Sequence, residues 1–284
     1  MRTEAGLATL WVMDVAVIIP AAGGSTRYMA AARAEQGLDV ARSKLDEDLG
    51  GRPLLHRTVE VFTKVRAVRT IIVAGPHDEE AMEEFKRRHG DKLGILGATL
   101  CAGGRTHRYE TVQNALKLVP VDTTHILVHD GARPCITPEF VEGLLAIAAR
   151  HAAVVPAVAV ADTLKRASKA AVEETREDPL AAILGTAAVQ GPALWTVAET
   201  VDRSGLYAVQ TPQIFEAKLL RRAYEQKDLT STDDAQLVER LGERVVLAPG
   251  DARNLKVTLP MDLLVARAIL NVRGPETKAA HLRF

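Results

Sequence analysis

The sequence predicts an α/β protein built on a doubly wound, mainly parallel sheet. Short apolar runs rich in Val and Ile recur at Val15–Pro20, Thr70–Ala74, Ala98–Cys101, Ile126–His129 and Ala153–Val158, with amphipathic helical patterns between them. Strands that are apolar on both faces and alternate with helices form a sheet covered on both sides. The two loops richest in chemistry, after Pro20 and after His129, both fall at the carboxyl ends of such strands, where sheets of this kind hold ligands.

The first strand runs into a loop of small residues. Ala21, Ala22, Gly23 and Gly24 leave its backbone almost bare, so a phosphate can approach the N–H groups. Arg27 then supplies a planar, permanently charged fork. Neither G-x-x-x-x-G-K-[ST] nor G-x-G-x-x-G is present, and Ser25 lacks the flanking glycines of a nucleophile elbow. The loop reads as a nucleoside triphosphate loop of a third kind, with a plain tight turn as the alternative. Residues 30–43, Ala-rich with scattered charges, form an insert before Lys44. Pro53 fits the first turn of a helix carrying Leu54, Leu55, Val59, Phe62 and Val65.

Gly103-Gly104, ahead of Arg108 and Thr111 at a helix start, is a second Gly-to-helix junction. Its N–H groups can hold an anion or read a base edge, and a left-handed turn accounts for the glycines equally well. In His129-Asp130-Gly131-Ala132-Arg133-Pro134, Asp130 is a natural Mg2+ ligand, because the hard cation takes carboxylate plus phosphate oxygens. The alternative has Asp130 capping the next turn and pairing with Arg133. His129 reads as a packed strand-end residue. Thr137-Pro138-Glu139 opens a helix with a cap, a first-turn proline and an acidic residue.

Residues 161–206 lose the alternation, being polar and then Ala-rich around Leu180–Val189, and are expected to be an irregular arm, lid or subdomain. The pattern resumes near Tyr207, with helices around Glu216–Gln226, Asp233–Leu241 and Pro260–Val272. Thr211-Pro212-Gln213 and Thr232-Asp233-Asp234 read locally as structural punctuation. In Asn254-Leu255-Lys256-Val257-Thr258 the polar residues alternate, so on a strand Asn254, Lys256 and Thr258 would share one face. One domain over residues 14–272 is expected, with a disordered tail at 1–13 and another tail at 273–284.

The 284 residues suffice for a large core, and 36 basic against 36 acidic residues leave no net charge. No basic stripe stands out, which argues against nucleic acid as a partner. No apolar run reaches the ~18–20 residues of a membrane span, and no signal peptide is recognisable. Two cysteines, Cys101 and Cys135, fit a reducing cytoplasm.

Taken together, these motifs resemble the 2-C-methyl-D-erythritol 4-phosphate cytidylyltransferases of isoprenoid biosynthesis, from about Val15 to Leu270. The elements in order are Ala21-Ala22-Gly23 with Arg27 and Met29, Gly103-Gly104 with Arg108 and Thr111-Val112, Val128–Pro134, Asp162–Arg166, Thr200–Arg203, Thr211–Phe215, Thr232–Ala235 and Asn254–Leu263. The resemblance implies a Rossmann-like nucleotidyltransferase sheet with a protruding dimerisation arm. It implies a homodimer and transfer of CMP from CTP to a sugar-alcohol phosphate, releasing pyrophosphate. Arg27, Lys44 and Lys256 would be the catalytic cations, with Mg2+ near Asp130. CTP would lie against Ala21, Ala22, Gly23, Gly24, Arg108, Asp130 and Gly131, its cytosine beside Gly103, Gly104 and Thr111. The acceptor would meet Arg133, Thr163, Lys256 and position 161. The attacking phosphate is already ionised near neutrality (second pKa ~6), so no strong general base is needed.

The chain departs from the family pattern in four places. Ser43-Lys44-Leu45 stands where P-K-Q is usual, the first loop is one residue longer before Met29, and the arm is longer by roughly twenty residues. The arginine that usually precedes D-T is Ala161 here. A sister enzyme acting on ribitol 5-phosphate, and a catalytically silent CTP-binding homologue, are therefore the competing readings. Ala161→Arg is expected to lower KM for methylerythritol phosphate in steady-state assays; an unchanged KM would show that other cations already fill that role.

Overall fold

The computed structural model describes residues 13–36, 43–172 and 194–274. Of the expected tails at 1–13 and 273–284, residues 1–12 and 275–284 lie outside the described residues, as do the inner insert 37–42 and the arm residues 173–193. Met13 is no tail residue, since its side chain is buried in the core. The chain divides into two compact units, Met1–Val158 with Val209–Phe284, and Ala159–Ala208.

The first unit contains β1 (Val15–Pro20), α1 (Thr26–Gln36), α2 (Leu54–Thr63), β2 (Val68–Gly75), α3 (Glu79–Phe85), α4 (Asp91–Ile95), β3 (Ala98–Ala102), α5 (Arg108–Leu116), β4 (His125–Val128) and α6 (Pro138–Ala148). β5 (Ala153–Ala159) leads to β6 (Leu164–Val172) and β7 (Leu194–Val201) of the second unit. After β8 (Tyr207–Val209) come β9 (Gln213–Glu216), α7 (Ala217–Ala223), α8 (Asp234–Arg240), β10 (Val246–Pro249) and α9 (Pro260–Ile269). Half of the insert expected at residues 30–43 is thus the continuation of a helix begun at Thr26, because its alanines and charged residues favour that state.

Among the described residues the strand order is β10-β5-β9-β4-β1-β2-β3. β1 pairs in parallel with both β2 and β4, while β9 lies antiparallel between β4 and β5. The sheet is therefore mainly parallel, as expected. The chain winds outward from β1 in one direction and from β4 in the other, so the crevice beyond their carboxyl ends is the topological switch point.

Double winding follows from side-chain alternation. Val15, Val17 and Ile19 of β1 enter one core with Leu54, Val59 and Phe62 of α2 and Leu144 of α6. Ala16 and Ile18 enter the other with Val112 of α5, Leu220 of α7 and Leu237 of α8. Burying each large aliphatic contributes roughly 1.5–3 kcal/mol, enough to fix the register of β1, since a one-residue slip would exchange the two sets. β9 escaped recognition for a physical reason. Only Ile214 and Phe215 of its four residues are apolar, too few to show a period, although both are fully buried.

The arm is not irregular where it is described. β6 and β7 form an antiparallel ribbon pairing Leu164 with Val201, Lys165 with Thr200 and Arg166 with Glu199. Lys165 Nζ donates to Thr200 Oγ1 at 2.6 Å, and Arg166 pairs with Glu199. Both lie exposed, as do Trp195 and Val197. A ribbon held by cross-strand pairs worth ~0.2–1 kcal/mol each has no buried face to imprint on the sequence.

Candidate active site

The site is built from the two strand ends at the switch point. Beyond β1, Ala21 N–H donates to Ala74 O at 2.7 Å, which carries the pairing with β2 one residue past Pro20. Ala22, Gly23 and Gly24 follow along the wall of a cleft of about 330 Å³. Ser25 adopts a φ of 52°, turning the chain into α1. Its hydroxyl lies 3.1 Å from Ser43 Oγ and accepts the Lys44 N–H at 3.3 Å. Lys44 begins a short 3-10 turn, Lys44–Asp46, capped by Ser43. Its ammonium donates to Val257 O at 2.9 Å. Burial, then the neighbouring charges of Lys256 and Arg27, lower its pKa against the opposing pull of Asp130. Asp46 closes the turn from behind, bonded to His89 at 2.7 Å.

Beyond β4, a set of hydrogen bonds holds residues 129–133. His129 is fully buried, with Nε2 3.1 Å from Arg133 O and Nδ1 3.1 Å from Thr211 Oγ1. A carbonyl only accepts, so Nε2 carries the proton, and the Thr211 hydroxyl donates to Nδ1. That hydroxyl in turn accepts the Asp130 N–H at 3.0 Å. The Thr211 hydroxyl thus clamps the Asp130 turn, and the peptide that follows, Thr211-Pro212, is cis. Read from sequence as punctuation, Thr211 positions the turn.

Asp130 is nearly buried, with Oδ2 3.0 Å from Lys256 Nζ and 3.2 Å from Arg133 Nε, and Oδ1 3.7 Å from Arg108 Nε. Burial alone would raise its pKa, but Lys256, Arg108 and Arg133 outweigh it and hold the carboxyl well below the usual carboxylate range. The pairing with Arg133 weighed from the sequence is present, and the same carboxylate also faces the cleft.

Asn254–Thr258 forms no strand, contrary to the alternation. It is an extended loop fastened by Val257 N–H to Ala132 O at 2.8 Å, and by Arg133 Nη1 to Asn254 O at 2.7 Å. Asn254 is buried, donating to Thr211 O at 2.8 Å, while Lys256 faces out to Asp130. Tertiary bonds, not ladder pairing, set these directions.

The Gly103-Gly104 junction also differs from expectation. Neither glycine has a positive φ, so no left-handed turn is involved. A Cβ on Gly103 would come 2.5 Å from Gly75 O and 2.6 Å from Ala22 Cβ, and one on Gly104 would come 2.2 Å from Glu110 Cβ. Close approach is what requires them. The junction amides are also engaged: Gly104 N–H donates to Thr111 Oγ1 at 2.9 Å, and the Glu110 carboxylate accepts from Thr106 and His107. They form no free anion cradle.

Gly104, Arg108 and Thr111 line the first cleft with Lys44, Asp130, Gly131 and Lys256, facing the Ala21–Gly24 loop. Gly103 sits behind that wall, its N–H on Gly75 O and its carbonyl on Asn114. Arg133 lines an adjoining cleft of about 260 Å³, which shares Arg108, Asp130 and Lys256 with the first. Arg27 is exposed on α1 and is not among the lining residues. Ala161 and Thr163 are exposed residues of the second unit, where the Ala161 carbonyl accepts from Arg203.

For the expected Mg2+, Asp130 is the one carboxylate lining the first cleft among the described residues, and no cluster of three or more metal-ligating side chains occurs among them. Such a donor set fits a cation held by one carboxylate and substrate phosphates, not a cage of protein ligands.

Comparison with known proteins points to one family. The 2-C-methyl-D-erythritol 4-phosphate cytidylyltransferase (IspD) family pattern matches residues 15–185 and 179–272. The chain belongs to this family. A cytidylyltransferase of that description from Geobacillus kaustophilus is 34% identical over 252 residues, covering 87% of this chain and 97% of the relative. One from Frankia casuarinae is 37% identical over 257 residues, covering 90% and 81%. The crystal structure of the Thermus thermophilus cytidylyltransferase superposes with a TM-score of 0.64 at 32% identity, covering 92% of this chain and all of that one. Membership makes the chain a nucleotidyltransferase.

In this cytidylyltransferase the buried histidine behind Asp130 has a consequence for stability. Burial lowers the His129 pKa from 6.5 to about 4. Between those values the unfolded chain binds a proton that the folded one refuses, so stability is lost as pH falls from about 6.5 toward 4, by up to about 3 kcal/mol from this residue. Urea unfolding at pH 7 and pH 5 is expected to show that loss, and His129→Gln is expected to flatten the dependence.

Proposed function

We propose that the chain transfers the cytidylyl group of CTP to 2-C-methyl-D-erythritol 4-phosphate, giving CDP-methylerythritol and pyrophosphate. The observation that carries this reading is the convergence of Lys44 and Lys256 with Asp130 on a cleft walled by the Ala21–Gly24 loop. In that arrangement the loop receives the triphosphate on the backbone N–H groups of Ala22, Gly23 and Gly24, the Ala21 N–H being held by Ala74. Lys44, with Arg27 at its approach, lies where charge builds on the departing pyrophosphate. Lys256 and Arg133 receive the acceptor phosphate in the adjoining cleft, and Arg108 and Asp130 stand between the two. An ionised phosphate oxygen attacks without a protein base, so catalysis here is positioning and charge stabilisation. Mg2+, held by Asp130 and phosphate oxygens, would supply further neutralisation of the triphosphate. The free thiols of Cys101 and Cys135 suit a cytoplasmic setting.

Ala161 carries the second reading, transfer to ribitol 5-phosphate: its own side chain brings no cation, although the Arg203 guanidinium is bonded to its carbonyl.

We also propose a homodimer, supported by the exposed side chains of Trp195 and Val197, which alternate onto one face of β7. Sedimentation is expected to give twice the chain mass, and Trp195→Ser to shift it toward monomer; a wild-type monomer would remove the proposal. Pyrophosphate release from CTP is expected with methylerythritol phosphate and to fall about 100-fold or more in Lys44→Ala. Turnover with ribitol phosphate alone would reassign the acceptor, and tight CTP binding without turnover would mark a silent homologue.

A further inference from the structure

Arg108 is shared by the two clefts, and its position depends on residues that line neither. Its Nη1 donates to Asp234 Oδ2 at 2.7 Å. Asp234 is fully buried, and its other oxygen accepts the Tyr224 hydroxyl at 2.5 Å. The start of α8 that carries Asp234 is itself fixed, because Gln213 accepts the Ala235 N–H and donates to Asp233. Burial works against the Arg108 charge, yet Asp234 and Asp130 together raise its pKa above the ordinary arginine value.

Two carboxylates therefore compete for one guanidinium. Asp234 makes a short, charge-assisted bond at one edge, whereas Asp130 stands 3.7 Å from Nε. Without the charge at Asp234, the nearest anion for Arg108 is Asp130. Closing that gap would draw on the carboxylate that holds Lys256 and Arg133.

We infer that Tyr224 and Asp234 are a positioning pair that holds the Arg108 guanidinium between the nucleotide and acceptor clefts and keeps it from collapsing onto Asp130. The inference rests on the cytidylyl-transfer reading above, in which phosphoryl oxygens pass between those clefts. Tyr224 orients the carboxylate, Asp234 holds one edge of the guanidinium, and Arg108 is left lining both clefts. Neither Tyr224 nor Asp234 touches substrate.

The test compares wild type, Asp234→Asn, Tyr224→Phe, Arg108→Gln and the double variant Arg108→Gln/Asp234→Asn. Asp234→Asn is expected to lower kcat about tenfold and raise KM for CTP, with Tyr224→Phe moving both the same way by about threefold. In the Arg108→Gln background the Asp234 substitution is expected to change kcat by less than about twofold, as coupled residues are non-additive. Asp234→Asn kinetics within about twofold of wild type, or a full loss persisting without Arg108, would overturn the inference. A merely structural role would lower Tm equally in both backgrounds while kcat held. Should Asp234→Asn not fold, Tyr224→Phe decides, and unchanged kinetics there would overturn it. Wild-type turnover is the control for the reaction itself. If wild type turns over no acceptor, calorimetry with pyrophosphate decides: weaker binding in Asp234→Asn only when Arg108 is present supports the pair, and unchanged binding rejects it.

Discussion

The site depends on one carboxylate serving several cations. Lys256, Arg133 and Arg108 surround Asp130, and Lys44 stands close enough to feel its charge. Four positive groups this close would repel one another, and burial without them would push the aspartate's pKa up, against its charged form. Each side of the cluster makes the other tenable. The cluster is thus assembled within the protein itself, with Lys256 half-exposed at its outer side and Asp130 nearly buried within. Everything around Asp130 serves its placement: β4 carries it to the switch point, the Thr211 hydroxyl caps its amide, and His129 braces the turn from within.

That bracing comes from β9. Its antiparallel insertion between β4 and β5 brings Thr211 and Gln213 against the Asp130 turn and the start of α8. A wholly parallel sheet would leave β4 and β5 adjacent and offer no strand arriving from the opposite direction at that point. The departure from parallel pairing is thus what supplies the inner layer of the site.

The central sheet was legible in the sequence because β1, β2, β4 and β5 are apolar on both faces, and the two loops that line the cleft were legible because small residues or an acid follow those strands directly. What stayed hidden follows a common cause. β9 is too short to show a period, the ribbon of β6 and β7 has no buried side, and residues 254–258 alternate for reasons of tertiary bonding. Gly103 and Gly104 signalled a constraint correctly, but the constraint is crowding by Gly75, Ala22 and Glu110, which only coordinates disclose. Thr211, Asp234 and Tyr224 act through other side chains, and local sequence carries no mark of that. Their motifs became informative only as part of an ordered set.

The Ser25 hydroxyl joins the first loop directly to Ser43 and the Lys44 amide, across eighteen and nineteen positions of chain. The location of Lys44 is therefore fixed from the loop side, with its ammonium anchored on Val257 and Asp46 tied to His89. A change at Ser25 is therefore also a change at Lys44: removing that one hydroxyl would take a partner from the Ser43 side chain and the Lys44 amide together, although neither is its neighbour in sequence. The loop and the lysine form one unit through a side chain, and the backbone path that links them in sequence does not set their spacing.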